Sequence, residues 1–453
     1  MTETSQLFID GAFRQARGGK TYPNLSPSSG QAIGAAADGS VEDTGEAIGA
    51  ARWAFDNSKW ATARDLRLRC LIQFRDGLFA ARERIKQIAR GEAGAPGGCI
   101  AGPHCDAPLS FLDFPIEALK TYRFERALPV ANTMGFPSRR LVWKEAAGVV
   151  GAITPWNVPL QINLAKIFPA LAAGCTVVLK PAPETPWSAT VLAEVAAKTD
   201  MPKGVFNVVT SAEPAAVGEM LVTDPRVDMI SFTGSTATGR RIMAMASESI
   251  NKLFLELGGK SAFIVLDGAD FAQAIPTSAF FVLYHAGQGC ACFTRLLVPR
   301  SRHDEAVGML KAAFEAMRYT DPESEAQIMG PLISERQRQR VLSYVKIGRE
   351  EGATLVTGGG IPTDAPKGGF YVQPTLFANV DNRMRIAQEE IFGPVLCVIP
   401  YDNDDDAVRI ANDSIFGLSG GVASASQDRA LSVARRIRTG TYAVNGANYF
   451  AAD

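Results

Sequence analysis

Short apolar runs alternate with amphipathic segments between residues 146 and 259. Runs such as GVVGAI, CTVVLK and VDMISF have the length and composition of buried strands. The stretches between them, for example LQINLAKIFPALAAG, place apolar residues at helical spacing and end at a glycine. Strands and helices that alternate in this way predict a parallel sheet with helices on both faces.

A second alternation of the same kind runs from residue 261 to residue 445, with strand candidates such as RLLVPR and VLCVIPYD. Residues 126–145 have two extended pieces around an Asn/Gly/Pro turn, which predicts a hairpin. Residues 91–108 contain Gly and Pro throughout and are expected to form a loop. We therefore predict an α/β fold with two sheet-containing domains and a small β-hairpin element.

Composition narrows the choice of partners. The chain has 453 residues, is 47% hydrophobic, and balances 46 Lys and Arg against 47 Asp and Glu, so nucleic acid and anionic membranes are not expected partners. The polar start and the lack of a long apolar run predict neither a leader nor a membrane span.

Seven irregularly spaced cysteines favour free thiols in a reducing, cytoplasmic setting. No His or Cys pair has zinc-ligand spacing, so we expect no metal site.

Polar residues follow several of the predicted strands, at the sheet edge where ligands bind in this class of fold. Asn157 could donate to a developing oxyanion or could simply cap a helix or turn. Lys180 could bond a nucleotide or could be a solvated lysine. Gly234 and Ser235 open a helix whose free N–H groups would suit a pyrophosphate, although the full glycine fingerprint for dinucleotides is absent.

Two further stretches carry candidate catalytic groups. Glu256 ends an apolar run, where desolvation would strengthen it as a general base; the alternative is a surface glutamate on an edge strand. Cys290 and Cys292 lie in HAGQGCACFTR and could be a nucleophile, a metal or disulfide pair, or two small buried residues. A nucleophilic cysteine needs positive surroundings or a helix N-terminus, because an ordinary thiol is mostly protonated at neutral pH.

Together, these blocks closely resemble the aldehyde dehydrogenase superfamily. The matching blocks are TPWNVP, KPAPETP, FTGSTATG, LELGGK, GQGCACFTR and EEIFGP, and the likeness spans nearly the whole chain. It implies Cys290, two residues after the motif Gln, as the nucleophile and Glu256 as the general base. Their separation, 290 − 256 = 34, is the one usual in the family. The implied reaction is NAD(P)-dependent oxidation of an aldehyde to a carboxylic acid, through a thiohemiacetal and a thioester that Glu256-activated water hydrolyses.

The resemblance also implies the remaining site residues and the domain organisation. Asn157 corresponds to the amide of the oxyanion hole. The implied cofactor contacts are Ile153, Thr154, Trp156, Lys180, Ala182, Gly234, Ser235, Leu257, Glu390 and Phe392, and the implied substrate contacts are Ile162, Tyr284 and Phe450. A Rossmann-like cofactor domain would comprise residues 1–123 and 147–259, an oligomerisation hairpin residues 124–146, and the catalytic domain residues 260–453.

Three features depart from the family pattern. Pro183 stands where NAD-preferring members often have the glutamate that bonds the ribose 2′-hydroxyl, and Glu184 comes one residue later. Despite this departure, the resemblance still implies NAD as the cofactor, and NADP is the alternative. His285 stands where an asparagine is usual. Family members usually continue beyond the position of Asp453, and with that tail present we expect a homodimer or a homotetramer.

Other functions compete with hydrolytic aldehyde oxidation. A CoA-acylating relative usually lacks the glutamate of the ELGGK block, and a non-catalytic structural member would be expected to have lost Cys290 or Glu256. Both residues are present. A cysteine protease would need a histidine base, and the chain has only three histidines, two of them in poor contexts. The residues thus favour hydrolytic aldehyde oxidation.

Overall fold

The structure is a computed structural model that describes residues 3–319 and 324–446. Its strands, numbered in chain order, are β1 (Glu3–Ser5), β2 (Leu7–Ile9), β3 (Ala12–Arg14), β4 (Thr21–Leu25), β5 (Ala32–Ala37), β6 (Glu125–Ala127), β7 (Ala131–Thr133), β8 (Phe136–Ser138), β9 (Leu141–Trp143), β10 (Val149–Ile153), β11 (Thr176–Lys180), β12 (Phe206–Val208), β13 (Met229–Thr233), β14 (Lys252–Glu256), β15 (Ala262–Val265), β16 (Arg295–Pro299), β17 (Thr354–Thr357), β18 (Thr375–Ala378), β19 (Val395–Tyr401), β20 (Ser419–Ala423) and β21 (Thr441–Val444). The helices are α1 (Val41–Asn57), α2 (Arg64–Ala80), α3 (Arg82–Ala93), α4 (Gly97–Cys99), α5 (Asp106–Ser110), α6 (Asp113–Thr121), α7 (Pro159–Ala173), α8 (Trp187–Ala196), α9 (Pro214–Thr223), α10 (Thr236–Ala246), α11 (Phe271–Leu283), α12 (His303–Glu315), α13 (Glu335–Glu350), α14 (Arg385–Gln388), α15 (Asp404–Asn412) and α16 (Gln427–Ala434).

The first large sheet has the strand order β14-β13-β10-β11-β12-β2-β3, and its strands from β14 to β12 are parallel. Every residue of β10 and β11 is buried, as expected for central strands covered on both faces. Alternate residues enter opposite cores. Val150 and Val177 pack in the core with α2, α7 and α8, whereas Val149 and Val178 pack in the core with α1, α9 and α10.

The second large sheet has the order β17-β18-β19-β16-β15-β20-β21, and it is parallel except for the antiparallel edge strand β17. Residues from 262 to 443 form one large core around it. The predicted α/β fold with two mostly parallel sheets is therefore confirmed.

The connection between the sheets determines where a site can form. Glu256 ends β14 at the carboxyl edge of the first sheet, and Ala262 already begins β15 at the amino edge of the second. Such a short link brings these two edges close together. The carboxyl edge carries the segments that follow β10, β11, β13 and β14, whereas the amino edge carries the segments that precede β16 and β19. Since β16 and β19 are neighbours, with Arg295 beside Cys397, those two preceding segments lie side by side.

The hairpin pattern over residues 126–145 corresponds to two short antiparallel ladders. β6 pairs with β9, and β7 pairs with β8 nearer the tip. Large apolar side chains are exposed on this hairpin: Met134 is 91% exposed, Phe136 75% and Trp143 66%. Apolar residues in such a concentration typically mark a surface that contacts another protein.

The expected loop at residues 91–108 is wrong. The segment contains the end of α3, the short helices α4 and α5, and a π-helical turn over Ile100–His104 between them. Its glycines serve close packing: a Cβ on Gly98 would lie 2.7 Å from the backbone oxygen of Glu325 and 2.8 Å from that of Gln327. Glycine content alone therefore could not distinguish a loop from a tightly packed helical turn.

Within residues 3–319 and 324–446, no helix combines the length and the apolar character needed to cross a membrane. All seven cysteines are free, as predicted.

Candidate active site

A cavity of about 440 Å³ lies where the two sheet edges meet. Nine residues expected from the sequence line it: Trp156, Asn157, Ile162, Gly234, Ser235, Leu257, Cys290, Glu390 and Phe392. They come from both sheet edges, although long stretches of chain separate them. Pro155, Thr233, Gly258, Arg336, Gln337 and Arg340 complete the lining.

The two neighbouring cysteines have different surroundings. Both thiols are half-buried, but Cys290 lines the cavity, whereas Cys292 does not. Burial, together with the nearby carboxylates of Glu390 and Glu256, raises the pKa of the Cys290 thiol to about 11. Burial also raises the pKa of the Cys292 thiol, to about 12. Cys292 packs against Gly289, where an added Cβ would lie 2.7 Å from its Sγ. The structure thus exposes Cys290, and not Cys292, to a ligand in the cavity.

Asn157 is buried at the carboxyl edge of the first sheet, between β10 and α7. Its Nδ2 donates to the backbone carbonyl of Gln288 at 2.9 Å, which ties the side chain to the cysteine segment. An amide nitrogen carries two hydrogens, so one donor remains for a ligand. This arrangement suits an oxyanion donor beside Cys290.

Glu256 does not have the apolar surroundings expected from its sequence. It is exposed at the end of β14, which is the edge strand of the first sheet, and the residues of β14 alternate between exposed and half-buried. The alternative interpretation, an exposed glutamate on an edge strand, was therefore the correct one for its environment. The carboxylate is nonetheless close enough to Cys290 for its charge to raise the thiol pKa.

Lys166 is a neighbour of Glu256 that the sequence did not reveal. It is buried on α7, its Nζ donates to Ser231 Oγ at 3.0 Å, and it lies 5.6 Å from the centre of the Phe254 ring. Burial lowers its pKa to about 8, and the negative charge of Glu256 opposes that shift. A lysine whose pKa is lowered toward neutral pH thus lies near the exposed carboxylate of Glu256.

The other residues of the first sheet that the sequence predicts to bind the cofactor lie outside the cavity lining, at or just after the carboxyl ends of β10 and β11. Ile153 and Lys180 end the adjacent strands β10 and β11, and both are buried. Burial lowers the pKa of Lys180 to about 8, and its Nζ donates to the backbone carbonyl of Pro181 at 3.1 Å. Thr154 is buried with its Oγ1 lacking a hydrogen-bond partner, and Ala182 is buried close by in sequence.

Ser235 and Gly234 open α10 at the same edge. Ser235 is the N-cap of the helix, and its Oγ accepts from the backbone N–H of Thr238 at 3.2 Å. Both residues line the cavity. The first N–H groups of a helix have no intrahelical acceptor, so they can bind an anion at this position.

The second sheet contributes Glu390 and Phe392 to the cavity from the segment before β19. Glu390 Oε1 accepts from the backbone N–H of Gly259 at 3.0 Å. Burial raises the pKa of Glu390, and the Gly259 hydrogen bond and the charge of Lys260 oppose that shift. The ring of Phe392 meets that of Trp156 edge-on, with centroids 5.4 Å apart.

The two glycines of the ELGGK block permit these close approaches. A Cβ on Gly258 would lie 2.3 Å from a carboxylate oxygen of Glu390, and a Cβ on Gly259 would lie 2.4 Å from the backbone oxygen of Cys290. Cβ atoms are essentially never found this close to a non-bonded atom, so a side chain at Gly258 would displace the Glu390 carboxylate and one at Gly259 would displace the Cys290 backbone. The block therefore brings the nucleophile segment and Glu390 against the link between the sheets.

Gly259→Ala is expected to displace Cys290 and to lower kcat for a reaction at its thiol by about 10²-fold, the typical effect of a displacement near 1 Å. The matched control is Gly268→Ala, where an added Cβ would meet nothing within 4 Å. Steady-state kinetics of both variants check this. Equal activity in the two variants would contradict the packing role of Gly259.

Among the described residues, the structure brings only one of the predicted substrate residues to the cavity. Ile162 lines the cavity. Tyr284 is not among its lining residues; its hydroxyl donates to the backbone carbonyl of Cys99 at 3.4 Å, and its ring lies 5.3 Å from that of Phe280. Phe450 lies outside the described residues.

His285, the departure from the family pattern, is buried beside the site. Its ring meets that of His104 edge-on at 4.4 Å. Burial lowers the pKa of His285 to about 4, and an interaction with the backbone carbonyl of Asn157 opposes that shift. The ring is therefore neutral at physiological pH. It contacts the backbone of the segment that contains Asn157.

Helix α13 supplies site residues that sequence reasoning missed. Gln337 Nε2 donates to the backbone carbonyls of Phe392 at 2.8 Å and Ile391 at 3.2 Å, and Arg340 Nη2 donates to that of Glu390 at 2.6 Å. Arg336 forms an exposed ion pair with Glu184 at 3.3 Å. These residues belong to a polar stretch, SERQRQR, that resembles any solvated helix, so only the packing of α13 against the Glu390 segment reveals them.

Comparisons with known proteins agree with this geometry. The sequence model described as the aldehyde dehydrogenase family matches residues 13–453. The chain belongs to the aldehyde dehydrogenase family. A 3-succinoylsemialdehyde-pyridine dehydrogenase from a Pseudomonas species is 39% identical over 450 residues, covering 99% of this chain and 92% of the relative.

Solved structures of aldehyde dehydrogenases share the whole fold. An aldehyde dehydrogenase of Mycobacterium tuberculosis in complex with NAD⁺ has a TM-score of 0.95 and 40% identity, covering 99% of this chain and 92% of that one. A mutant of aldehyde dehydrogenase C from Pseudomonas syringae, in complex with NAD⁺ and octanal, has a TM-score of 0.92 and 35% identity, covering 98% and 90%. The family resemblance of the sequence is thereby confirmed.

Proposed function

We propose that this aldehyde dehydrogenase family member oxidises an aldehyde to its carboxylic acid with NAD⁺, using Cys290 as the nucleophile. The observation that supports this most directly is the shared cavity. The half-buried thiol of Cys290, the buried amide of Asn157 and a sheet edge suited to binding a dinucleotide all border this cavity. Residues 1–123 and 147–259 would bind the cofactor, and the domain at 260–453 would supply the nucleophile.

The residues along the sheet edge fit a dinucleotide. Lys180 and the buried, unpartnered Oγ1 of Thr154 would bond the adenosine ribose region, and the N–H groups that follow Ser235 would bind the pyrophosphate. Glu390 would hold the nicotinamide ribose, with Phe392 and Leu257 beside the ring. When bound, oxidised nicotinamide supplies a hydride acceptor and a positive charge next to Cys290. Complexes of the structural neighbours with NAD⁺ support NAD rather than NADP.

Cys290 and Asn157 would carry out the first half of the reaction. The Cys290 thiolate attacks the carbonyl carbon of the aldehyde, and the carbonyl oxygen becomes the oxyanion of a thiohemiacetal. Asn157 Nδ2 and the backbone N–H of Cys290 donate to that oxyanion; loss of one such donor typically costs about 10²–10³-fold in rate. As the oxyanion collapses, the former carbonyl carbon loses its hydride, which the bound oxidised nicotinamide would accept, and a thioester remains on Cys290.

Glu256 would carry out the second half. Its exposed carboxylate has access to solvent, so it can take a proton from a water molecule that attacks the thioester. The carboxylic acid product leaves, and Cys290 recovers its thiol.

The raised pKa of Cys290 leads to a pH prediction. With no cofactor bound, its alkylation by iodoacetamide is expected to accelerate as pH rises toward about 11, because only the thiolate reacts. Saturating NAD⁺ brings a positive charge next to the sulfur, so the alkylation profile is expected to shift to lower pH. Alkylation rates followed by mass spectrometry check this. A profile that NAD⁺ leaves unmoved would count against the proposed nicotinamide position.

The activity is tested by mixing the protein with NAD⁺ or NADP⁺ and a panel of aldehydes that includes octanal. Absorbance of the reduced nicotinamide is the readout, with and without CoA. We expect turnover with NAD⁺ that does not depend on CoA. No turnover with either cofactor would contradict the proposed function, and turnover that requires CoA would favour an acylating enzyme.

The exposed apolar side chains of Met134, Phe136 and Trp143 support assembly of two or four copies through the hairpin at residues 124–146. Light scattering of the protein in solution tests this, since a monomer mass would contradict it. The cytoplasmic location stays a prediction.

A further inference from the structure

Gln288 is a buried glutamine whose amide is fully used. It is 1% exposed. Its Nε2 donates to the backbone carbonyls of His285 and Pro331, each at 3.1 Å, and its Oε1 accepts from the backbone N–H of Ile333 at 2.9 Å. Both amide hydrogens and the oxygen therefore have partners, and these partners lie on two different segments. The side chain links the segment before Cys290 to residues 331–333.

The backbone of Gln288 connects this link to the oxyanion donor. Its carbonyl accepts from Asn157 Nδ2 at 2.9 Å, and Asn157 is 3% exposed. A terminal amide rotates about a soft torsion, so the orientation of Asn157 depends on where this carbonyl lies. A shift of Gln288 would rotate the remaining Asn157 hydrogen away from the ligand.

The segment that leads into Gln288 would not hold this position unaided. His285 and Ala286 have φ values of +49° and +53°, in the left-handed region that ordinary L-residues disfavour, and Gly287 follows with +69°. Such a turn persists only when its surroundings hold it. The bond from Gln288 Nε2 to the carbonyl of His285 closes this turn on itself, and the bond to Pro331 fixes it to the next segment.

We propose that Gln288 is the positioning residue of the oxyanion hole: its side chain fixes its own carbonyl, and that carbonyl orients the Asn157 amide toward the substrate oxygen. The inference rests on the proposed function, because it assumes that Asn157 stabilises an oxyanion. Gln288 is absent from the cavity lining, so it would act through Asn157 and not by direct contact with the aldehyde or the cofactor.

The first test compares two reactions of Cys290. Gln288→Leu removes the three side-chain hydrogen bonds. We expect kcat for aldehyde oxidation to fall at least tenfold, toward the 10²–10³-fold limit for a lost oxyanion donor. Alkylation by iodoacetamide displaces iodide at a saturated carbon and develops no oxyanion, so its rate at Cys290 should change less than about two-fold. The dissociation constant for NAD⁺, from protein fluorescence, should also stay unchanged.

A double-mutant cycle then tests whether Gln288 acts through Asn157. In an Asn157→Ala background, Gln288→Leu should lower kcat by less than about two-fold, since the donor it positions is already absent. Gln288→Glu gives a rescue: its protonated carboxyl can still donate to one carbonyl, so its activity relative to the parent should fall as pH rises.

Gln327→Leu is the matched control, because Gln327 is a buried glutamine of the neighbouring segment whose Nε2 donates to the carbonyl of Met329 at 2.7 Å. It should retain activity. Equal losses in alkylation and in kcat, full additivity with Asn157→Ala, or an equal loss in Gln327→Leu would overturn the proposal. A parent protein that oxidises no aldehyde would instead overturn the proposed function, and an active parent with a fully active Gln288→Leu variant would overturn this inference alone.

Discussion

Cys290→Ala is expected to abolish aldehyde oxidation, with a loss of more than about 10⁴-fold in kcat, as is typical when a covalent nucleophile is removed. The reason is the position of Cys290 in the cavity, beside Asn157 and the cofactor residues. Steady-state production of reduced nicotinamide measures the effect. Binding of NAD⁺, followed by fluorescence, should persist in the variant, because no cofactor contact is removed.

Cys292→Ala is the matched control for this result. Cys292 lies two residues away, packs against Gly289 and does not line the cavity. The variant should retain most of the parent activity, since alanine still fills part of the packed position. If Cys292→Ala were inactive and Cys290→Ala active, the assignment of the nucleophile within GQGCACFTR would be wrong.

Glu256→Gln is expected to separate the two halves of the reaction. Hydride transfer needs no base at this position, so a rapid burst of about one reduced nicotinamide per Cys290 should survive. Turnover after the burst should fall by about 10²–10⁴-fold, the usual contribution of a general base, because the thioester is no longer hydrolysed efficiently. Stopped-flow absorbance resolves the burst from the steady state.

Glu248→Gln controls for the loss of an exposed negative charge next to β14, because Glu248 is also exposed and lies shortly before that strand, at the end opposite to Glu256. It should behave like the parent protein. A Glu256→Gln variant with full steady-state turnover would show that another group activates the water.

The first half of the site could be predicted because a parallel sheet gathers the carboxyl ends of its strands. Asn157, Lys180 and Gly234 each follow an apolar run, and the fold brings them to one edge as expected. The parallel pairing of their strands is sufficient to predict that they lie together, without any family likeness. Their chemical roles still came from the resemblance.

The second half could not be predicted in this way. Cys290 and Glu390 precede their strands instead of following them, and they reach the cavity because the amino edge of the second sheet faces the carboxyl edge of the first. Nothing in the local sequence specifies how two sheets face each other. Arg340 and Gln337 were missed for the same reason, since their partners lie on the distant Glu390 segment.

The surroundings of Glu256 show how an apolar run can mislead. KLFLE looks like a buried strand by composition, yet β14 is an edge strand whose Lys252, Phe254 and Glu256 are exposed while Leu253 and Leu255 are half-buried. Exposed and half-buried residues alternate along this strand. The sequence does not show that alternation clearly, because Phe254 is a large apolar residue on the exposed face. Strand position within a sheet is a tertiary property that this pattern does not encode.

The most direct test of the account is to trap the acyl intermediate. Glu256→Gln would be mixed with NAD⁺ and the best aldehyde of the panel, quenched in acid, digested and fragmented by mass spectrometry. We predict one acyl group, of the mass of the oxidised aldehyde, on Cys290 and none on Cys292. An acyl group on Cys292, or reduced nicotinamide produced with no acyl group on Cys290, would contradict the proposed covalent mechanism.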